Sequence, residues 1–233
     1  MHEDLANPHW WSNAWLKHYR RYMSQPSYQA YYLYCVLPKG VGTILELGAG
    51  SFRDVAQLNK WGYHCIGTDF ATQAVEIARK LYPRWAQCFQ VEDATALSFG
   101  SEMFDLSYHN GLLVCFNDNS MIERILQEQR RVTRRWMVCT VHNALNSSLK
   151  CQFAEKAKHD PLYQIRFFEP DEITELMRSL CSRIDLYPFG SLWCNRLIKY
   201  SRNRFLVRWY YRLTYRIWQW ETCERIMAVG WLE

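Results

Sequence analysis

Short apolar runs alternate with amphipathic stretches through the middle of the chain. The run Thr43 to Leu47, bounded by Pro38-Lys39-Gly40-Val41-Gly42 and Gly48-Ala49-Gly50-Ser51, predicts a buried parallel strand. Val55 and Leu58 predict a helix over Arg53 to Trp61 that stops at Gly62. His64 to Thr68 predicts a second strand, ending at Asp69, and Thr72 to Leu81 a helix that stops before Pro83. Phe89 to Val91 predicts a third strand, ending at Asp93. Phe104 to Tyr108 predicts a fourth, ending in His109-Asn110-Gly111. Ile122, Ile125 and Leu126 mark a helix from Met121 to Thr133, before a fifth strand at Trp136 to Val141.

Beyond Asn143 the pattern weakens. Ala144 to Gln164 has little periodicity. Pro170 then suits the first position of a helix to about Leu180, with Asp171 and Glu172 in its first turn. Ile184 to Pro188 predicts a sixth strand, and Arg202 to Met227 a long helix. At the other end, residues 9 to 35 predict one or two helices broken near Pro26. Strands separated by helices predict an α/β fold with a mainly parallel, doubly wound sheet. The expected organisation is a helical cap over 1–37, the sheet domain over 38–190 and a helical extension over 191–233.

Composition changes this picture in two places. Aromatics reach 16%, with eleven Trp and fifteen Tyr, and many lie in the terminal segments. Basic residues accompany them: Lys17, Arg20 and Arg21 near the start, and seven Lys or Arg from Lys199 to Arg225 against Glu221 and Glu224. A net charge of +5 is too small for a general nucleic-acid protein, so nucleic acid is not the expected partner. Nine Cys without a CxxC pair support neither a disulfide framework nor a metal site, and fit a reducing cytoplasm. Met1 to Trp10 lacks the apolar core of a signal peptide, and no apolar window is long enough to span a membrane.

The chemistry concentrates at the expected strand ends. Glycines at 48 and 50 let a ligand approach the backbone, and the helix that follows offers unpaired N–H groups. Glu46 lies near the end of the first strand, Asp69 follows 23 residues later, and Asp93 a further 24. Carboxyl ends of parallel strands are where open α/β sheets bind ligands, and an acid at the second end accepts ribose hydroxyls. The full dinucleotide fingerprint is incomplete, because no further glycine follows until Gly62, which disfavours a nicotinamide enzyme.

Over about residues 38 to 190 the chain resembles the class I, Rossmann-like methyltransferases that use S-adenosylmethionine. The resemblance implies that Glu46, Gly48, Ala49 and Gly50 lie under the methionine part of that cofactor. It places the ribose at Asp69 and the adenine at Asp93, flanked by Phe70 and Ala94. Phe104 to Leu113 is similar to the family's fourth-strand motif, so His109 and Asn110 would face cofactor and acceptor. Phe167 to Ile173 resembles the turn into the family's late helix.

The chain departs from the family at Phe52, where a third glycine is frequent, and at Val114-Cys115-Phe116, where many members carry a histidine before an aromatic. If a hydroxyl acceptor needs a general base, His109 is the first candidate and His142 the second. Either could equally be a structural histidine. A binding module that holds S-adenosylmethionine or its product without turnover is the alternative to an enzyme. Trp11, Trp15, Tyr19 and Tyr28 are candidates for a lid or an acceptor pocket. The acceptor itself is expected to be a small molecule or a lipid- or glycan-linked metabolite. Residues 202–220 could complete the core, pack against a second subunit or rest on the inner face of a membrane, with RNA contact a minor reading.

Overall fold

A computed structural model describes residues 8–23 and 25–232, without the side chains of residues 8 and 20–23. Residues 1–7 of the expected cap, and the side chains of Arg20 and Arg21 in the expected basic group, lie outside the described residues.

Seven strands form one sheet: β1 (Thr43–Leu47), β2 (His64–Asp69), β3 (Phe89–Val91), β4 (Phe104–Asn110), β5 (Thr133–His142), β6 (Arg183–Phe189) and β7 (Arg225–Trp231). Their order is β3-β2-β1-β4-β5-β7-β6. Every pairing from β3 to β5 is parallel, and β7 runs antiparallel to both of its neighbours. The sheet is therefore mainly parallel and Rossmann-like, as the alternation predicts.

Side-chain alternation divides the core between the two faces. Trp136 and Val138 of β5, with Met227 and Val229 of β7, join the core beneath α2 (Tyr28–Val36), α4 (Thr72–Leu81) and the late helices. Met137, Cys139 and Val141, with Ile226 and Ala228, join the opposite core under α5 (Asn119–Val132) and α7 (Pro170–Arg178). A strand buried on both faces reads as an unbroken apolar run.

That burial corrects one expectation. The helix predicted from Arg202 to Met227 is α9 (Arg204–Thr214), two short turns, and then β7. Ile226 to Val229 fills the gap between β5 and β6, yet such a run has no period that distinguishes strand from helix. The boundary expected at residue 190 thus falls before a strand that returns to the sheet. Arg202 takes a left-handed conformation at the end of α8 (Leu192–Ser201), and the Asn203 side chain caps α9 by accepting from the Phe205 and Leu206 N–H groups.

The aperiodic stretch also differs. It contains α6 (Ser147–Ala157), capped by Asn146, whose side chain accepts from the Leu149 N–H. None of its residues is fully buried, which explains the weak periodicity. At the front, α1 (Pro8–Met23) packs against α4, and α2 follows the break at Pro26.

Candidate active site

β1 ends on Glu46-Leu47, and the chain then turns through Gly48 (φ 60°) and Gly50 (φ 51°), left-handed conformations that favour glycine. Ala49 N–H donates to Thr68 O at 2.8 Å, and Gly50 N–H donates to Asp69 Oδ2 at 2.8 Å. The turn is thereby stapled to the end of β2. Phe52 takes the same left-handed conformation (φ 55°), and its ring is wholly buried against Phe89 with centroids 4.9 Å apart. This aromatic holds from below a turn that a glycine would only permit. It opens α3 (Arg53–Lys60).

A cavity of about 290 Å³ opens at the carboxyl edge of the sheet. Glu46, Gly48, Ala49, Gly50 and Asp69 line it, joined by Phe70, Asp93 and Ala94 after the next strands. Asn110 lines it from the end of β4, and Trp11 and Trp15 from α1. These residues, distant in sequence, thus meet in one cavity.

Electrostatics differ from wall to wall. Glu46 is 2% exposed, and its Oε2 has no hydrogen-bond partner among the described residues. Burial, reinforced by nearby Asp54, pushes this carboxyl well above the usual carboxylate range. Asp54 accepts the Ala30 N–H at 2.9 Å and lies 3.7 Å from Arg53 Nε. Asp69 accepts from Gly50 and, through Oδ1, from Ala71 N–H at 2.9 Å. Burial still raises it to about 6. Asp93 is exposed and accepts from the Thr95 N–H and hydroxyl, each at 2.8 Å.

The two expected bases, His109 and His142, are not among the residues that line the cavity. His109 is 0% exposed on β4, with neither ring nitrogen hydrogen-bonded among the described residues. Strand alternation turns it away from the cavity-lining Asn110 that follows, and burial lowers it to about 3. His142 packs against Phe153 and Phe167, with ring centroids 5.1 and 5.5 Å away. Burial, and then the Arg225 charge, depress it well below the usual imidazole range. Nor do Tyr19 and Tyr28 line the cavity.

Arg225 is the main lining residue that the sequence did not reveal. It opens β7 opposite His142 and Phe189, and its Nη1 donates to Asn110 Oδ1 at the end of β4. A helix through Met227 would have hidden it, and the only signal was the apolar Ile226 to Val229 run. Leu162, from the aperiodic stretch, also lines the cavity. Beside it, Asp160 lies 3.9 Å from His18 of α1.

A doubly wound sheet with a glycine turn and acids at successive strand ends defines a nucleotide-type cofactor fold. Residues 45–136 match the family model described as a methyltransferase domain. This segment, from β1 to the start of β5, thus resembles a methyltransferase domain, and it contains the glycine turn together with Asp69 and Asp93. Three solved structures share the fold. A SAM-dependent methyltransferase of Thermotoga maritima, described as a possible histamine N-methyltransferase, is 17% identical. The match covers 94% of this chain and 97% of that one, with a TM-score of 0.66. One from Archaeoglobus fulgidus is 14% identical over 87% and 90% of the two chains, with a TM-score of 0.61. One from Methanosarcina mazei is 17% identical over 83% and 93%, with a TM-score of 0.56. No match was found among curated protein sequences.

Proposed function

We propose that this protein methylates a small molecule, or a lipid- or glycan-linked metabolite, in the cytoplasm by in-line displacement from S-adenosylmethionine. The observation that carries this reading is one cavity lined by the glycine turn and strand-end acids and also by an apolar wall of Trp11, Phe116, Met121 and Leu162.

The residues present fit the cofactor. Glu46 brings a buried carboxyl oxygen without a partner among the described residues, and the Asp69 carboxylate keeps lone pairs beyond its two backbone bonds. In this reading Glu46 and the turn at Gly48 to Gly50 hold the methionine part, Asp69 the ribose, and Asp93 with Phe70 and Ala94 the adenine. When bound, S-adenosylmethionine supplies a methyl group already activated by its sulfonium.

The chain's own task is then positioning. Trp11 and Trp15 cover the cavity and exclude water, while Arg225 fixes the Asn110 side chain at the edge of β4. No histidine is among the described residues that line the cavity, so orientation rather than a histidine base carries the proposed acceleration. The test is incubation with methyl-tritiated S-adenosylmethionine and fractionated cell extract. Label entering a low-molecular-weight or lipid-extractable product supports the reading, and label confined to nucleic acid or protein contradicts the acceptor class.

A further inference from the structure

The outer face of the late helices has a chemistry that the cavity does not use. Val207 and Tyr211 turn the inner side of α9 into the core, where Tyr211 Oη donates to Pro188 O at 2.9 Å. The opposite side carries Phe205, Trp209 and Leu213, four residues apart and so stacked along one ridge. Trp209 and Leu213 are each 63% exposed, and Ile217 in the following turn is 79% exposed. The adjoining α8 buries Cys194 and Ile198 and leaves Leu192, Trp193 and Tyr200 exposed. The helix pair is therefore apolar towards water as well as towards the core, and such patches mark contact surfaces.

Charge selects the contact. Between residues 191 and 220 there are seven Arg or Lys and no Asp or Glu. None of the seven forms an ion pair with a described residue; Arg204 and Arg212 donate to the Trp61 and Cys35 carbonyls and Arg208 lies over the Tyr34 ring, while Arg196, Lys199, Arg202 and Arg216 are exposed. Arg196 lies over the Trp193 ring at 5.2 Å, and Lys199 near the Tyr200 ring at 5.6 Å, so base and aromatic are presented together. No helix is long and apolar enough to cross a membrane among the described residues.

We propose that the outward face of α8 and α9 rests on an anionic lipid bilayer, with Trp209, Leu213 and Ile217 in the acyl boundary and the exposed Arg196, Lys199, Arg202 and Arg216 at the headgroups. A second copy of the chain would bring this uncompensated basic surface against itself. RNA bases would gain stacking from the aromatic rings but nothing from Leu192, Leu213 and Ile217, which a bilayer accommodates. The inference does not depend on the methyl-transfer reading.

The test is flotation of the full chain with vesicles of phosphatidylcholine alone or mixed with phosphatidylglycerol. Two variants at exposed positions accompany it, Trp209→Ser with Leu213→Ser and Arg196→Glu with Lys199→Glu. An unchanged melting temperature certifies that each has folded. The expected result is binding to the anionic vesicles only, weakened about tenfold or more in each variant and by salt at about 0.5 M. Absence of binding to both vesicle types, or binding that neither variant alters, overturns the proposal. So does a dimer that the Trp209 and Leu213 pair dissolves while vesicles remain unbound, which would assign the face to a second copy. Binding to poly-uridine RNA without vesicle binding would overturn it in favour of RNA.

Discussion

The indole of Trp15 lies across the backbone of Gly50, so close that a β-carbon on the glycine would stand 2.1 Å from Trp15 Cζ2. The amino-terminal helix therefore closes over the turn that ends the first strand, and only a residue without a side chain leaves room for it. Trp15→Ala should uncover the turn and weaken S-adenosylhomocysteine binding about tenfold by calorimetry, with the fold retained. Gly50→Ala forces an L-residue to φ 51° as well as displacing the indole, so it should destabilise by about 1–3 kcal/mol and weaken the same ligand.

Phe52 reverses the ordinary logic of a glycine position. Replacement by glycine relieves a left-handed backbone worth about 1 kcal/mol. It also removes a fully buried ring, and large-to-small core substitutions of Phe cost about 3–5 kcal/mol. Phe52→Gly should therefore lower stability by at least about 2 kcal/mol in denaturant titration, although glycine suits the φ angle.

Asp69 couples the site to pH. Its carboxyl is held at about 6 when folded, against an ordinary 3.8. A folded value raised in this way contributes stability that is full below the unfolded value and is lost as pH rises through about 6. Ribose hydroxyls, in contrast, donate to the ionised form. Affinity for S-adenosylhomocysteine should therefore fall as pH drops below about 6, and Asp69→Asn should abolish that dependence. The asparagine also replaces an acceptor of the Gly50 and Ala71 N–H groups, so a lower melting temperature is expected alongside weaker binding.

His109 gives a prediction of the opposite sign. Both of its ring nitrogens are buried without a partner among the described residues, a costly arrangement that an apolar side chain removes. His109→Leu should leave S-adenosylhomocysteine affinity within about twofold and hold or raise the melting temperature. A large loss of affinity with the fold intact would return the residue to the site.

Most of the cavity wall was legible in the sequence because it depends on local signals. Glycines at 48 and 50, and acids at the ends of short apolar runs, announce themselves at fixed spacing, and β1 to β5 follow in parallel order. The rest depends on tertiary context. Ile226 to Val229 is apolar on both faces because it lies between β5 and β6, and this removed the period that would have separated strand from helix and exposed Arg225. That His109 and His142 lie outside the cavity lining was hidden for a related reason. Position near a strand end is visible in sequence, but which of two consecutive side chains turns to the cavity is not, and in β4 it is Asn110 that lines it while His109 turns to the other face.

Calorimetric titration of the purified protein with S-adenosylhomocysteine, beside the same titration with NADH, tests the cofactor assignment most directly. Binding of S-adenosylhomocysteine alone is expected, in the micromolar range or tighter and weakened by Asp69→Asn. Binding of NADH instead, or of neither ligand, would contradict it.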